Sequence, residues 1–160
     1  MNPPPRITRV ERPSAREVSF VRELDQPPEL VWRVWTEVRH LEHWFGPAGF
    51  TLTTAEFAFR PGGVWRLIMH GPDGTDYPTR IVFRDIDPPR RFTYENGWDL
   101  PGYPIDFTVA VTFQPAGSGT RLTLHMTFAD DAAVKTAVER YGVLQGGVET
   151  FERIAIYLRT

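Results

Sequence analysis

The chain has no cysteine. It therefore forms no disulfide, no thiolate metal site and no cysteine nucleophile, and an intracellular reducing compartment is expected. No apolar run approaches the roughly 18 residues of a membrane-spanning helix, and the proline- and arginine-rich N-terminus lacks the apolar centre of a signal peptide. A charge surplus is missing as well. Eighteen basic and 20 acidic side chains leave a formal net charge of −2, which gives no overall attraction to phosphate backbones or anionic lipid. These absences predict a cytoplasmic protein with neither nucleic acid nor a membrane as partner.

Catalytic signatures are equally scarce. Gly62-Gly63 is followed by no lysine-serine/threonine pair and opens a strand pattern, so a hairpin turn is expected there rather than a phosphate loop. No Ser-His-Asp order and no nucleophile elbow is present. His40 and His43 flank Glu42 at helical spacing but lack a third ligand, so surface histidines are expected and neither a metal nor another cofactor is assigned. No residue is assigned a catalytic role.

What is present is ordered. At 160 residues the chain suits one domain that buries about two thirds of its unfolded surface. Residues 1–16, with Pro3, Pro4 and Pro5, show no periodicity and are expected to form a loosely held arm, with the domain occupying 17–160. Val18 to Glu23 alternate as a first strand, which Pro27-Pro28 ends and converts into a helix start. Leu30, Val31, Val34, Trp35 and Val38 then recur at helical spacing, and a second short helix with Leu41 and Trp44 stops at Gly46-Pro47.

From Leu52 to Phe128 the period changes to two, with turn signals at hairpin intervals, predicting strands at 52–59, 63–70, 78–86, 91–97, 106–114 and 120–128. A helical pattern follows from about Asp131 to Leu158, and its Gly142, Gly146 and Gly147 predict either a break or a close backbone approach. The fold class is therefore α+β: a curved antiparallel sheet wrapped around a long C-terminal helix, with two short helices after the first strand.

The 5 tryptophans, 5 tyrosines and 11 phenylalanines concentrate on elements that face inward. A ligand pocket needs mostly apolar walls with a few placed polar groups, and Trp44, Trp65, Met69, Tyr94, Trp98 and Tyr141 are the expected lining. Leu67 is expected beside Trp65. Strict alternation sends Arg66 outward if Trp65 faces inward, while Glu95, Asn96 and Arg80 are further polar candidates. Gly97 to Pro104 holds Trp98 and Tyr103 among breakers and reads as a loop, either a lid over the cavity or a clamp on the sheet edge.

The ordered motifs Val31-Trp32 with Trp35, Trp44-Phe45-Gly46-Pro47, Arg60-Pro61-Gly62-Gly63-Val64-Trp65-Arg66, Ile86 to Phe92, Gly119-Thr120-Arg121-Leu122 and Gly147 to Leu158 carry a resemblance. Over about residues 17–158 the chain resembles the START-like (SRPBCC) helix-grip superfamily, within the group of activator of heat-shock-protein ATPase homologues. The resemblance implies a helix-grip fold. It also departs at one point: Val148 stands where the family often has a bulky aromatic, implying a locally wider cavity.

Members of this superfamily bind lipids, polyketides, hormones or chaperones, and some are enzymes, so the fold alone does not transfer a function. The expected function is binding of a small apolar or aromatic ligand between the sheet and the C-terminal helix. A chaperone-interacting domain that uses its outer surface is the alternative. A low-specificity cyclase or hydrolase is a third, for which His70, Glu95 and Asp106 are the candidates. His125, among polar neighbours on a strand, is the other histidine suited to titrate near neutral pH. Both a monomer and a homodimer are compatible with the sequence.

Overall fold

The period-two segments assemble into one antiparallel sheet in the computed structural model, which describes residues 6–160. Its strands are β1 (Arg9–Glu11), β2 (Glu17–Leu24), β3 (Thr51–Phe57), β4 (Val64–His70), β5 (Asp76–Asp87), β6 (Arg91–Trp98), β7 (Ile105–Ala116) and β8 (Gly119–Phe128), in the spatial order β1-β2-β8-β7-β6-β5-β4-β3. The predicted strands are all present, with small shifts at their ends. Part of the expected arm is ordered: Arg9, Val10 and Glu11 pair with Val21, Phe20 and Ser19 of β2. Residues 1–5, including Pro3-Pro4-Pro5, lie outside the described residues.

Two short helices carry the chain from β2, near one edge, to β3 at the other. Helix α1 (Pro28–Thr36) has proline in its first turn, where a missing N–H costs nothing, and buries Val31, Val34 and Trp35. Helix α2 (Val38–Trp44) buries Leu41 and Trp44. The chain then turns at Gly46, whose φ of 109° suits only glycine.

The helical pattern over 131–158 forms two helices. Asp130 caps α3 (Asp131–Glu139), its side chain accepting from the Ala133 N–H at 2.8 Å, and α4 (Val143–Tyr157) starts after Gly142, which sits in the left-handed region at φ 61°. Both outcomes that the glycines implied therefore occur: Gly142 makes the break and Gly147 the close approach. A Cβ at Gly147 would lie 2.6 Å from Phe20 Cε2 and nearer still to Cζ and Cε1, so α4 rests directly on the β2 ring.

Helices and sheet enclose a core that is solid at one end. Trp32 meets Phe59, Phe92 and Phe113 edge-on, with centroids 5.9, 5.7 and 5.2 Å away, and Trp35 meets Trp44 at 4.7 Å. Each such edge-to-face pair contributes about 0.5–1.5 kcal/mol beyond its buried area. Arg22 is an exception on the inner side of β2: its side chain is 4% exposed, and its guanidinium is paired with Glu152 of α4 and donates to Thr8 Oγ1 at 3.3 Å.

Candidate functional site

The other end of the interior is hollow. A cavity of about 550 Å³ lies between the sheet and α3–α4, with walls that are mostly apolar. Each sheet wall is the continuation of a strand face whose remaining residues fill the solid end. On β4, Trp65 and Leu67 are buried in the core and Met69 reaches the cavity; on β5, Ile81 and Phe83 are core, whereas Tyr77 and Thr79 line the cavity. On β6 the sequence runs Phe92, Tyr94, Asn96, Trp98 along one face, from core to cavity.

The helical roof follows from two glycines. Gly146 and Gly147 line the cavity: lacking a side chain, Gly147 lets α4 sit close to Phe20 of the sheet, while Gly146 faces Pro47 in the loop after α2. Phe20 and Phe151, with ring centroids 6.1 Å apart, close the wall below them. Near the entrance, Phe50, Tyr77, Trp98 and Tyr141 form a chain of rings with successive centroid separations of 5.9, 6.0 and 6.3 Å.

Polar groups are few. Asn96 pairs with Phe107 and Gly97 with Ile105, which leaves Asp106 as the extra residue of a β-bulge and brings it to the cavity wall despite its even position on β7. Burial there raises the Asp106 carboxyl above its ordinary pKa. The Tyr94 phenol, also at the wall, is pushed far up by burial alone. Arg140 stands at the cavity but is exposed, with its guanidinium 5.5 Å from the Tyr141 ring centroid.

The structure separates the six expected lining residues. Met69, Tyr94, Trp98 and Tyr141 line the cavity. Trp44 and Trp65 do not, which corrects that expectation. Trp44 is 1% exposed and its Nε1 donates to the Val34 carbonyl at 3.0 Å; Trp65 is 2% exposed, donates to Thr54 Oγ1 at 3.1 Å and packs on Phe45 at 5.0 Å. Their indole donors are satisfied inside the solid end, so both are structural fillers. Val148 packs against the core and does not line the cavity, so the widening expected there is absent.

Trp98 belongs to β6 rather than to a loop, and only the turn beyond it is irregular. That turn is fastened to the sheet: Arg66 Nε donates to Asp99 Oδ2 at 2.9 Å, and the Asp99 N–H donates to the Pro78 carbonyl at 3.0 Å. Tyr103, in the same turn, is 59% exposed.

Of the chemical candidates, only Asp106 reaches the cavity. His70 bridges Thr53 Oγ1 and Asp76 Oδ1 at 2.8 and 2.7 Å on the outer face, and Glu95 pairs with Arg84. His125 bridges Ser19 Oγ and Glu17 Oε1 at 2.6 and 2.8 Å, also on the outer face. His40 and His43 share a different partner, Tyr157 of α4: His40 Nδ1 is 2.7 Å from its hydroxyl, and the His43 ring stacks on it at 5.8 Å. Desolvation lowers the His40 pKa, consistent with a neutral ring bonded to the phenol.

Sequence reasoning missed Tyr77 and named Asp106 only as a chemical candidate. Tyr77 was visible as the outermost inward residue of the β5 alternation. The bulge that brings Asp106 to the cavity has no local signature in the sequence.

Comparisons with known proteins fit this architecture. A crystal structure from Mycobacterium smegmatis is 26% identical, with a TM-score of 0.86 over 97% of this chain and 98% of that one. A solution structure from Arthrobacter aurescens is 27% identical, with a TM-score of 0.86 over 94% of this chain and 91% of that one. A structure from Silicibacter pomeroyi, at 20% identity and a TM-score of 0.72 over 89% of this chain and 97% of that one, shares the fold. No curated protein matches the chain. The model of the family described as "Activator of Hsp90 ATPase homolog 1-like protein" matches residues 25–159, and the chain belongs to that family.

Proposed function

We propose that this protein binds a small apolar or aromatic molecule in the cavity between the sheet and α3–α4. The observation that carries this reading is the cavity itself: about 550 Å³ of interior left open beside a tightly interlocked aromatic core. A volume of that size accommodates a molecule of drug-like dimensions, and apolar walls with a few polar groups favour a ligand of the same character. Met69, Tyr94, Trp98 and Tyr141 are the contacts, with Phe107 and Phe128 at the β7–β8 wall.

Titrating the protein with lipophilic aromatic compounds tests this through tryptophan fluorescence, because Trp98 lies at the wall. The expected result is a saturable change that Leu124→Trp, which fills the cavity from β8, abolishes without loss of the folded circular dichroism spectrum. Absence of a saturable signal across the panel, by fluorescence and by calorimetry, refutes the proposal.

A second reading is favoured by the family description, which names an activator of a chaperone ATPase. In that reading the outer surface contacts a chaperone. A rise in chaperone ATPase rate on adding the protein, unchanged by Leu124→Trp, supports it; no change in rate removes it.

A further inference from the structure

We propose that the cavity ligand carries a protonated amine on its apolar body, and that Asp106 is the counter-ion that selects it. This deepens the cavity-binding reading above and rests on it.

Three polar groups gather on the β6–β7 wall: the Tyr94 phenol, the Asn96 amide and the Asp106 carboxyl. Tyr94 and Asn96 share one face of β6, and Asn96 pairs with Phe107, the neighbour of Asp106. The bulge matters here because regular alternation would point position 106 to the outer face. Instead it brings a carboxylate into a largely apolar enclosure. Among the described residues no cation forms an ion pair with it, and its partial burial holds the carboxyl above its ordinary pKa. The Tyr94 phenol is in the same condition.

An ammonium group has donors and no acceptor, so it matches a wall that offers the acceptors of a carboxylate, a phenol oxygen and an amide oxygen. The Tyr77 and Trp98 rings, 6.0 Å apart at the same end, add cation–π attraction. A carboxylate ligand would meet repulsion from Asp106. The other charged or titratable groups lining the cavity are Tyr77, Tyr141 and Arg140. Arg140 is exposed and held at the Tyr141 ring, where solvent screens it.

The test compares three probes with one apolar body: 1-naphthylmethylamine, 1-naphthalenemethanol and 1-naphthoic acid, titrated calorimetrically into the full chain at pH 7. The amine is expected to bind at least tenfold more tightly than the alcohol, and the acid most weakly. Asp106→Asn should erase the amine preference while leaving the alcohol affinity within twofold, and Asp106→Ser should do the same. Removing a desolvated, unpaired carboxylate should leave Tm unchanged or raised, which confirms that both variants are folded. Equal affinity for amine and alcohol, or an amine preference that survives both substitutions, overturns the inference while the cavity reading stands. Failure of all three probes to bind overturns both.

Discussion

Gly147→Ala is a direct test of how closely α4 rests on the sheet. In a solvent-exposed helix this change stabilises by about 1 kcal/mol, because alanine loses less backbone entropy. Here the added methyl carbon would sit 2.6 Å from Phe20 Cε2 and closer to two further atoms of the same ring, all well inside van der Waals contact. Phe20 is 1% exposed and braced by Phe151, so its ring has little room to retreat. Overpacking of this kind costs typically 1–3 kcal/mol, and the depth of the overlap places the cost at the upper end, about 3 kcal/mol. Subtracting the propensity gain leaves a net loss of about 2 kcal/mol, or a fall in Tm of about 4–8 °C for a chain of this size. Urea unfolding followed by tryptophan fluorescence measures it. In a Phe20→Ala background the obstacle is gone, and the same substitution should become stabilising by about 1 kcal/mol. A stabilising effect of Gly147→Ala in the native background would refute the claimed contact.

Four further outcomes follow from the same geometry. Gly142→Ala forces alanine into the left-handed region at φ 61° and should cost about 1–2 kcal/mol, with Gly142→Asn costing less, as judged by urea midpoints. Trp44→Ala should destabilise by about 3–5 kcal/mol by emptying the solid core. By contrast, Trp98→Ala should cost about 1 kcal/mol and weaken ligand affinity at least tenfold, a separation that calorimetry and chemical denaturation together reveal. Glu152→Ala leaves the buried Arg22 guanidinium without its counter-ion. Because Glu152 is itself partly exposed, the loss should be about 2 kcal/mol, below that of a fully buried pair, and Arg22→Met should recover part of it in thermal melts.

The sheet was legible because each strand has a buried and a solvated face, so a period of two is written into residues such as Leu122, Leu124, Met126 and Phe128. The turns were legible because glycine and proline carry their own conformational restrictions. The C-terminal break was half legible. Three glycines announced a departure from regular helix, but their sequence alone did not distinguish Gly142, which breaks the chain's course, from Gly147, which admits a ring.

The candidate site divided along the same line. Local patterning determined which residues face inward: Trp65 and Met69 lie four apart on one face of β4, and both were correctly placed on the helix side of the sheet. What tertiary structure decided was how far along each strand the packing stops being solid. Trp32 and Trp35 of α1 and Trp44 of α2 fill the space over one end of the strands, while α3 and α4, parted at Gly142, stand over the other and leave it open. Alternation is a property of neighbours in sequence, whereas cavity volume depends on which helix covers which stretch of sheet. The same holds for Asp106, whose position on the cavity wall is set by a one-residue offset between β6 and β7 that requires both strands to exist.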